Sequence, residues 1–236
     1  ELVKWSIDNE EFEDTIALKV KDIERDQIGI YTPRLQMLAG AGARHPDQLL
    51  GALMLAGFTT KDYTGKNFFD TGKKHFPGVK AGTTFDNKIT DALDSTSFKA
   101  ARTMLKTMKI VFPDGSETKL NLGTDLTLIV SPTNEDVARQ ILTAEQIDGT
   151  SNTLRGAAKL EVWGELGDSA AWFLMDGAYP IKPFAFSDEK PVSLTSCTNL
   201  EDSHVLLNKE FIYQAYSRGN MGYTLPQLCV GSTGAD

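Results

Sequence analysis

The chain has 236 residues, 41% hydrophobic and 24% charged, which suits one large domain or two small ones and argues against disorder. Its formal net charge of -8 disfavours wrapping of nucleic acid, whose affinity comes mostly from Lys and Arg neutralising phosphates, and leaves room only for a local basic patch. Cys197 and Cys229 have no metal-like spacing and read as reduced thiols in an intracellular setting; there is no N-x-Ser/Thr sequon, no signal peptide and no apolar run near the ~20 residues of a membrane span.

The chain opens at Glu1 rather than Met, so an upstream segment is expected to have been removed. Val3, Trp5 and Ile7 alternate with polar residues up to the turn Asp8-Asn9-Glu10. Phe12, Ile16, Leu18 and Val20 resume the phase, which predicts a β-hairpin with one apolar face. A hairpin alone is marginal in water, so this one must lie on its own domain or on a neighbouring subunit.

A long helix is predicted next. Thr32 suits the N-cap and Pro33 the first helical position. Leu35, Leu38, Leu49, Leu50, Leu53 and Met54 lay down an apolar stripe, and Gly57 suits the position after the last turn. A continuous helix over residues 31–56 spans about 39 Å. Pro46 opposes continuity, leaving one helix interrupted there or two helices meeting at His45-Pro46.

Residues 59–88 read as loop. A second helix begins near Ser95-Thr96-Ser97, and Leu126–Val130 reads as a buried strand. A third helix spans residues 132–145. Strands follow at 158–162, 171–175 and 181–186, and the tail reads as two long strands, residues 204–216 and 223–230, around Arg218-Gly219-Asn220. Segregated helices and mostly antiparallel strands make the fold class α+β.

Searches for chemistry fail one by one. His45, His75 and His204 have neither the i, i+4 spacing nor the companions of a zinc site and read as surface or capping residues. Gly65-Lys66 resembles the end of a phosphate loop, but Thr60 and Asn67 stand where Gly and Ser/Thr are needed. Ser95-Thr96-Ser97 lacks a nucleophile elbow and reads as a cap cluster. Phe68 and Phe69, with Tyr63 and Phe76, form either a stacking platform or a local mini-core; the mini-core is favoured. Trp163, Trp172 and Phe173 read as core. No catalytic, cofactor-binding or metal residue is assigned.

The stretch Ile28–Gln36, then His45-Pro46-Asp47, Leu53 to Gly57-Phe58 and Gly65-Lys66-Asn67-Phe68-Phe69-Asp70-Thr71, resembles the major head subunit family of Mu-like phages and prophages. Ser97–Arg102, Leu128–Arg139, Ser151-Asn152, Ala171–Asp176 and Lys182-Pro183 extend the resemblance in order over nearly the whole chain. It departs from the family pattern at Lys73–Pro77, which replaces the usual His-Pro, and lacks an N-terminal arm of several dozen residues.

The resemblance implies a capsid protein of the Hong Kong 97 type: an E-loop hairpin arm (residues 1–26), a peripheral domain with a spine helix (27–115), an axial domain (116–186) and a return to the peripheral domain in a long strand pair (187–236). It implies a major capsid protein, not an enzyme and without cofactor, assembled in the host cytoplasm into the icosahedral head of the virion around double-stranded DNA that it does not read by sequence. Its partners are then itself, as hexamers and pentamers, with scaffold, decoration and portal proteins, and no membrane. The hairpin becomes an inter-subunit clamp, with Trp5, Phe12, Ile16, Leu18 and Val20 covering a neighbour and Glu11 and Glu13 on its acidic edge pairing with basic residues there. The alternatives are a decoration or connector protein of the virion, an unrecognised hydrolase, or a carbohydrate- or nucleic-acid-binding module using Tyr63, Phe68 and Phe69.

Overall fold

The computed structural model describes residues 6–25, 29–76, 78–79, 83–147 and 149–235. In chain order its elements are β1 (Glu10–Lys19), α1 (Val20–Glu24), α2 (Tyr31–Ala56), β2 (Lys73–Lys74), β3 (Thr84–Phe85), β4 (Lys88–Ile89), α3 (Ser95–Lys106), β5 (Lys109–Val111), β6 (Glu117–Lys119), β7 (Leu126–Val130), α4 (Glu135–Thr143), β8 (Gln146–Ile147), β9 (Thr150–Ser151), β10 (Lys159–Val162), β11 (Trp172–Asp176), β12 (Phe184–Cys197), α5 (Ser203–Asn208), β13 (Glu210–Tyr223) and β14 (Cys229–Ser232). They fall into two units, a larger one of residues 50–185 and 222–235 and a smaller one of residues 7–49 and 186–221.

The larger unit is built on a five-stranded sheet of order β10-β7-β11-β14-β4. The outer pairs β10/β7 and β14/β4 are parallel and the inner ones antiparallel, so the sheet is mixed rather than the mostly antiparallel one expected. Both faces are covered, which is why β7 reads as an unbroken apolar run. Leu126, Leu128 and Val130 of β7, with Trp172 and Leu174 of β11, join a cluster containing Phe98, Ala101 and Leu105 of α3 and Ala138, Ile141 and Leu142 of α4. Ile129 and Phe173, one residue out of phase, join the opposite cluster with Met54, Phe68 and Phe69.

The third expected helix is a short 3-10 turn, Pro132–Asn134, followed by α4. α3 begins where the serine cluster predicts, but its N-cap is Asp94. The Asp94 carboxylate accepts from the Ser97 N–H and the Ser97 hydroxyl accepts from the Asp94 N–H, a reciprocal capping box.

The smaller unit is a three-stranded antiparallel sheet, β1-β13-β12, with residues 31–49 of α2. β1 pairs with β13 from Glu10 opposite Gly219 to Lys19 opposite Glu210. Its expected hairpin partner includes residues 3–5, which lie outside those described. Val20 opens α1 instead of extending the strand.

The tail departs from the expected hairpin. Residues 203–208 are helical, and Arg218-Gly219-Asn220 lies inside the single strand β13. Gly219 is there for close approach, not for a turn: a Cβ on it would stand 2.5 Å from the Ser187 carbonyl oxygen. Of the expected strand 181–186, only its last residues belong to the regular strand β12.

α2 runs unbroken from Tyr31 to Ala56 with Pro46 inside it, and Thr32 is its second residue rather than its cap. The proline leaves the Gly42 carbonyl without its helical N–H partner. Long-range packing outweighs that local cost, as it commonly does for helices. On the same turn a Cβ on Gly42 would lie 2.8 Å from Val192 Cγ1, so strand β12 approaches the helix closely there. Pro46→Ala restores the missing bond and is expected to raise unfolding stability by about 1–3 kcal/mol, read as a higher denaturation midpoint at unchanged m.

Candidate subunit-contact surface

The smaller unit has a thin core. Its buried apolar side chains are Leu18, Leu38, Val205 and Ala215, among the described residues. Among the described residues, eight of the twelve exposed large hydrophobics (Ile30, Met37, Phe186, Val192, Leu194, Leu200, Leu206 and Leu207) belong to it, although it is the smaller unit. A unit of this kind presents apolar surface that a partner would cover.

The candidate contact residues on β1 are divided by its alternation. Phe12 is half-buried with its ring 4.1 Å from that of His45, Ile16 is half-buried opposite Tyr213, and Leu18 is buried opposite Phe211. Leu18 therefore serves the unit's own core, while Phe12 and Ile16 keep part of their surface open. Val20 is half-buried at the start of α1, where its N–H donates to the Lys209 carbonyl. Glu11 and Glu13 are exposed; Glu11 lies 3.9 Å from Arg218, and Glu13 accepts from the Gln214 amide. Trp5 lies outside the described residues.

Between β1, β13, β12 and α2 the unit leaves a groove of about 410 Å³, walled by Phe12, Leu38, Gly42, His45, Val192 and Ala215. Glu11, Glu13 and Asp14 rim it. His45 Nε2 is shielded from solvent there and has no hydrogen-bond partner among the described residues. No run of spacing announces the groove, because its walls come from segments about 180 residues apart in sequence.

The larger unit holds a polar centre that no sequence motif announces. Lys73 is fully buried, and its ammonium donates to Asp62 Oδ2 at 2.6 Å, to the Asn67 carbonyl at 2.9 Å and to the Phe68 carbonyl at 2.6 Å. The three donors of the ammonium are thereby satisfied. Thr64 donates both its N–H and its hydroxyl to the other Asp62 oxygen. Burial pushes the Lys73 ammonium down to about 8, against the pull of Asp62.

Asn87 completes the centre, its amide nitrogen donating to the carbonyls of Phe68, Pro226 and Cys229 and its oxygen accepting from the Asp70 N–H. This network ties residues 59–73 to the sheet and turns the aromatic run inward. Phe68 stacks on Tyr223 at 4.4 Å, and Phe69 packs on Phe58 at 5.0 Å and Phe173 at 5.4 Å. The rings form the mini-core, not a platform. In β2 Lys73 is buried and Lys74 exposed, an alternation that two identical neighbouring residues do not show in the sequence.

His75 next to it is buried against Phe85, and burial pushes its imidazole down. No group of three or more His, Cys, Asp and Glu suited to a metal occurs among the described residues, and no helix there is long and apolar enough to cross a membrane.

A sheet and helix pair carrying long strands, joined through one long helix to a mixed sheet flanked by helices, is the fold of phage capsid proteins of the Hong Kong 97 type. The chain is similar to the capsid protein in the procapsid of bacteriophage JBD30, with TM-score 0.51, 26% identity, and coverage of 95% of this chain and 51% of that one. It is similar in fold to the capsid protein of cyanophage P-SCSP1u, with TM-score 0.61, 10% identity, and coverage of 95% and 72%.

The chain belongs to the Mu-like prophage major head subunit gpT family, which it matches over residues 1–92, 84–166 and 163–235. It is 24% identical over 230 residues to the major capsid protein of Escherichia phage Mu, covering 98% of this chain and 52% of that protein. It spans about half the length of the curated relatives it matches. The resemblance drawn from Ile28–Gln36 onward is thereby borne out, and so is the α+β class.

Proposed function

We propose that this chain forms the shell of a phage head: copies associate as hexamers and pentamers into a closed icosahedral capsid around double-stranded DNA. The role is structural and non-enzymatic. The observation that carries it is the family match over the whole chain, joined to a capsid fold. The thin-cored smaller unit supports it, because its exposed leucines suit a subunit whose neighbours finish its burial. In this reading, which moves the bounds from the 27–115 and 116–186 expected of the sequence, the smaller unit acts as the peripheral domain and the 50–185 and 222–235 unit as the axial domain, and the acidic edge at Glu11 and Glu13 meets basic residues of a neighbour. Scaffold, decoration and portal proteins are its further partners, and the virion is where it resides.

Net acidity suits a container, since a basic lining would hold the genome to the wall. Negative-stain imaging of the purified chain at high concentration is expected to reveal shells or hexameric capsomers. Uniform monomers, or rings of connector size, would reject the reading.

A further inference from the structure

We propose that Lys99, Arg102 and Lys106 of α3 receive the acidic edge of β1, at Glu11 and Glu13, from a second copy of this chain. The inference deepens the shell reading and rests on it, naming the basic residues that the edge meets. Residues 95–122 carry five bases and two acids in a chain of net charge -8. Helix α3 buries Phe98, Ala101 and Leu105 and has no acidic residue. Lys99, Arg102 and Lys106 recur at i, i+3 and i+7 and so share one side of it. Lys99 and Lys106 are exposed, and Arg102 is half-buried, its Nε shielded and without a hydrogen-bond partner among the described residues. None of the three has a carboxylate partner among those residues. The stem of Lys106 is held in place, since a Cβ on Gly123 would stand 2.7 Å from its Cε. A sheltered guanidinium nitrogen flanked by two lysines suits a carboxylate.

Neighbouring charges leave both partners with their sign. Asp91 and Asp94 precede the first turn of α3, and the Asp94 carboxylate accepts from the Ser97 N–H. Asp176 is buried and accepts from the N–H groups of Gly123 and Ala178. Beyond the helix Glu117 pairs with Lys109, Asp114 accepts from the Ser116 N–H and hydroxyl, and Lys119, opposite Lys109, adds a further positive charge. On the acidic side, residues 8–14 carry five acids and no base. β1 is an edge strand, and Glu11 and Glu13 are exposed on one face of it. The bases beside them do not cancel this, because Arg218 also serves Glu189 at 3.3 Å and Lys190 lies over the Tyr216 ring.

The spacings agree as well. Glu11 and Glu13 stand about 7 Å apart along the strand, and Arg102 and Lys106 about 6 Å apart along the helix. A second copy is the occupant because every copy carries one acidic edge and one basic face, which join head-to-tail in equal number. Duplex DNA fits less well, since the net charge of the chain repels phosphates at long range. Exposed ion pairs are individually weak and screened by salt. The contact therefore acts where many form together, and it loosens as ionic strength rises.

The test mixes isotope-labelled and unlabelled full chain at assembling concentration and adds a carbodiimide, which joins carboxylate to amine without a spacer. Linked peptides are mapped by mass spectrometry, and a parallel sample is imaged. Links from Glu11 or Glu13 to Lys99 or Lys106 that pair one labelled with one unlabelled peptide support the proposal, and high salt is expected to suppress them. Arg102→Glu should lower their yield on the order of tenfold, and Glu11→Arg in the same chain should restore it through Glu13. No rescue by Glu11→Arg overturns the pairing. Particles without those links overturn the docking and keep the shell. Absence of the links overturns it equally where no particles form, and the imaging then counts separately against the shell. Links confined to peptides of one isotope place the contact within a chain and overturn it. Duplex-DNA binding that Arg102→Glu abolishes, with no mixed link in the wild type, gives the basic face to the genome and overturns it too.

Discussion

Lys73→Ala is expected to lower the unfolding free energy by about 3–5 kcal/mol, measured by urea denaturation, because it breaks a buried ion pair from one side. The variant leaves Asp62 charged with its Oδ2 facing the space of a lost ammonium, and the Asn67 carbonyl without its donor. The Phe68 carbonyl is spared, since the Asn87 amide still donates to it at 2.8 Å. Lys73→Met combined with Asp62→Leu should recover much of the loss, because well-packed apolar replacements of a buried pair are often neutral. Recovery stays incomplete, because the Asn67 carbonyl loses its donor and the Thr64 N–H and hydroxyl lose their Asp62 acceptor. Two single losses that simply add would show that the pair does not act as a unit.

The same lysine sets a pH dependence. Burial holds its folded-state value near 8, below the ordinary 10.5, so the unfolded chain binds this proton more tightly. Stability from this group therefore rises as pH climbs from about 8 to 10.5 and is flat on either side. Lys73→Met should remove that rise. A wild-type profile with no difference from the Met variant in this window would contradict the buried-ammonium account.

What the sequence discloses divides along the range of the interactions. Periodicity places β7, β10, β11 and α3 close to where they fall, because their apolar spacing is written within ten residues. The helix 31–56 is disclosed in length, while its passage through Pro46 is not, since the forces that hold it come from residues such as Val192 far along the chain. The pairing of β1 with β13 joins Glu10 to Gly219, and no local rule reaches that far. In the tail, Arg218-Gly219-Asn220 has turn chemistry, but Gly219 is required by the Ser187 carbonyl across the sheet. Of the expected contact residues, Glu11 and Glu13 stand exposed and Leu18 is buried in its own unit, whereas Phe12 lines a groove that becomes visible only with the fold.

The second large effect concerns Phe69, whose ring lies between two glycines. A Cβ on Gly57 would stand 2.8 Å from its Cδ2, and a Cβ on Gly231 2.8 Å from its Cδ1. Neither glycine has a positive φ, so Gly57 does not end α2 in the left-handed form expected of it; both are glycine because the ring is there. The Phe69 N–H donates to the Gly57 carbonyl at 2.8 Å, which fixes ring and helix end together. Gly231 cannot retreat, since it pairs with Phe173 on one side and its N–H donates to the Asn87 carbonyl on the other.

Gly231→Ala is therefore expected to cost about 1–3 kcal/mol as overpacking, and Phe69→Ala about 3–5 kcal/mol as a cavity. The double variant should be no less stable than Phe69→Ala alone, because the new methyl then enters space the ring has vacated. Denaturation of the four chains measures the coupling directly. If the two costs add, Gly231 is constrained by its strand backbone rather than by the ring. If the double variant is the more stable of the two Phe69→Ala chains, the aromatic loop is held by shape as well as by the charge of Lys73.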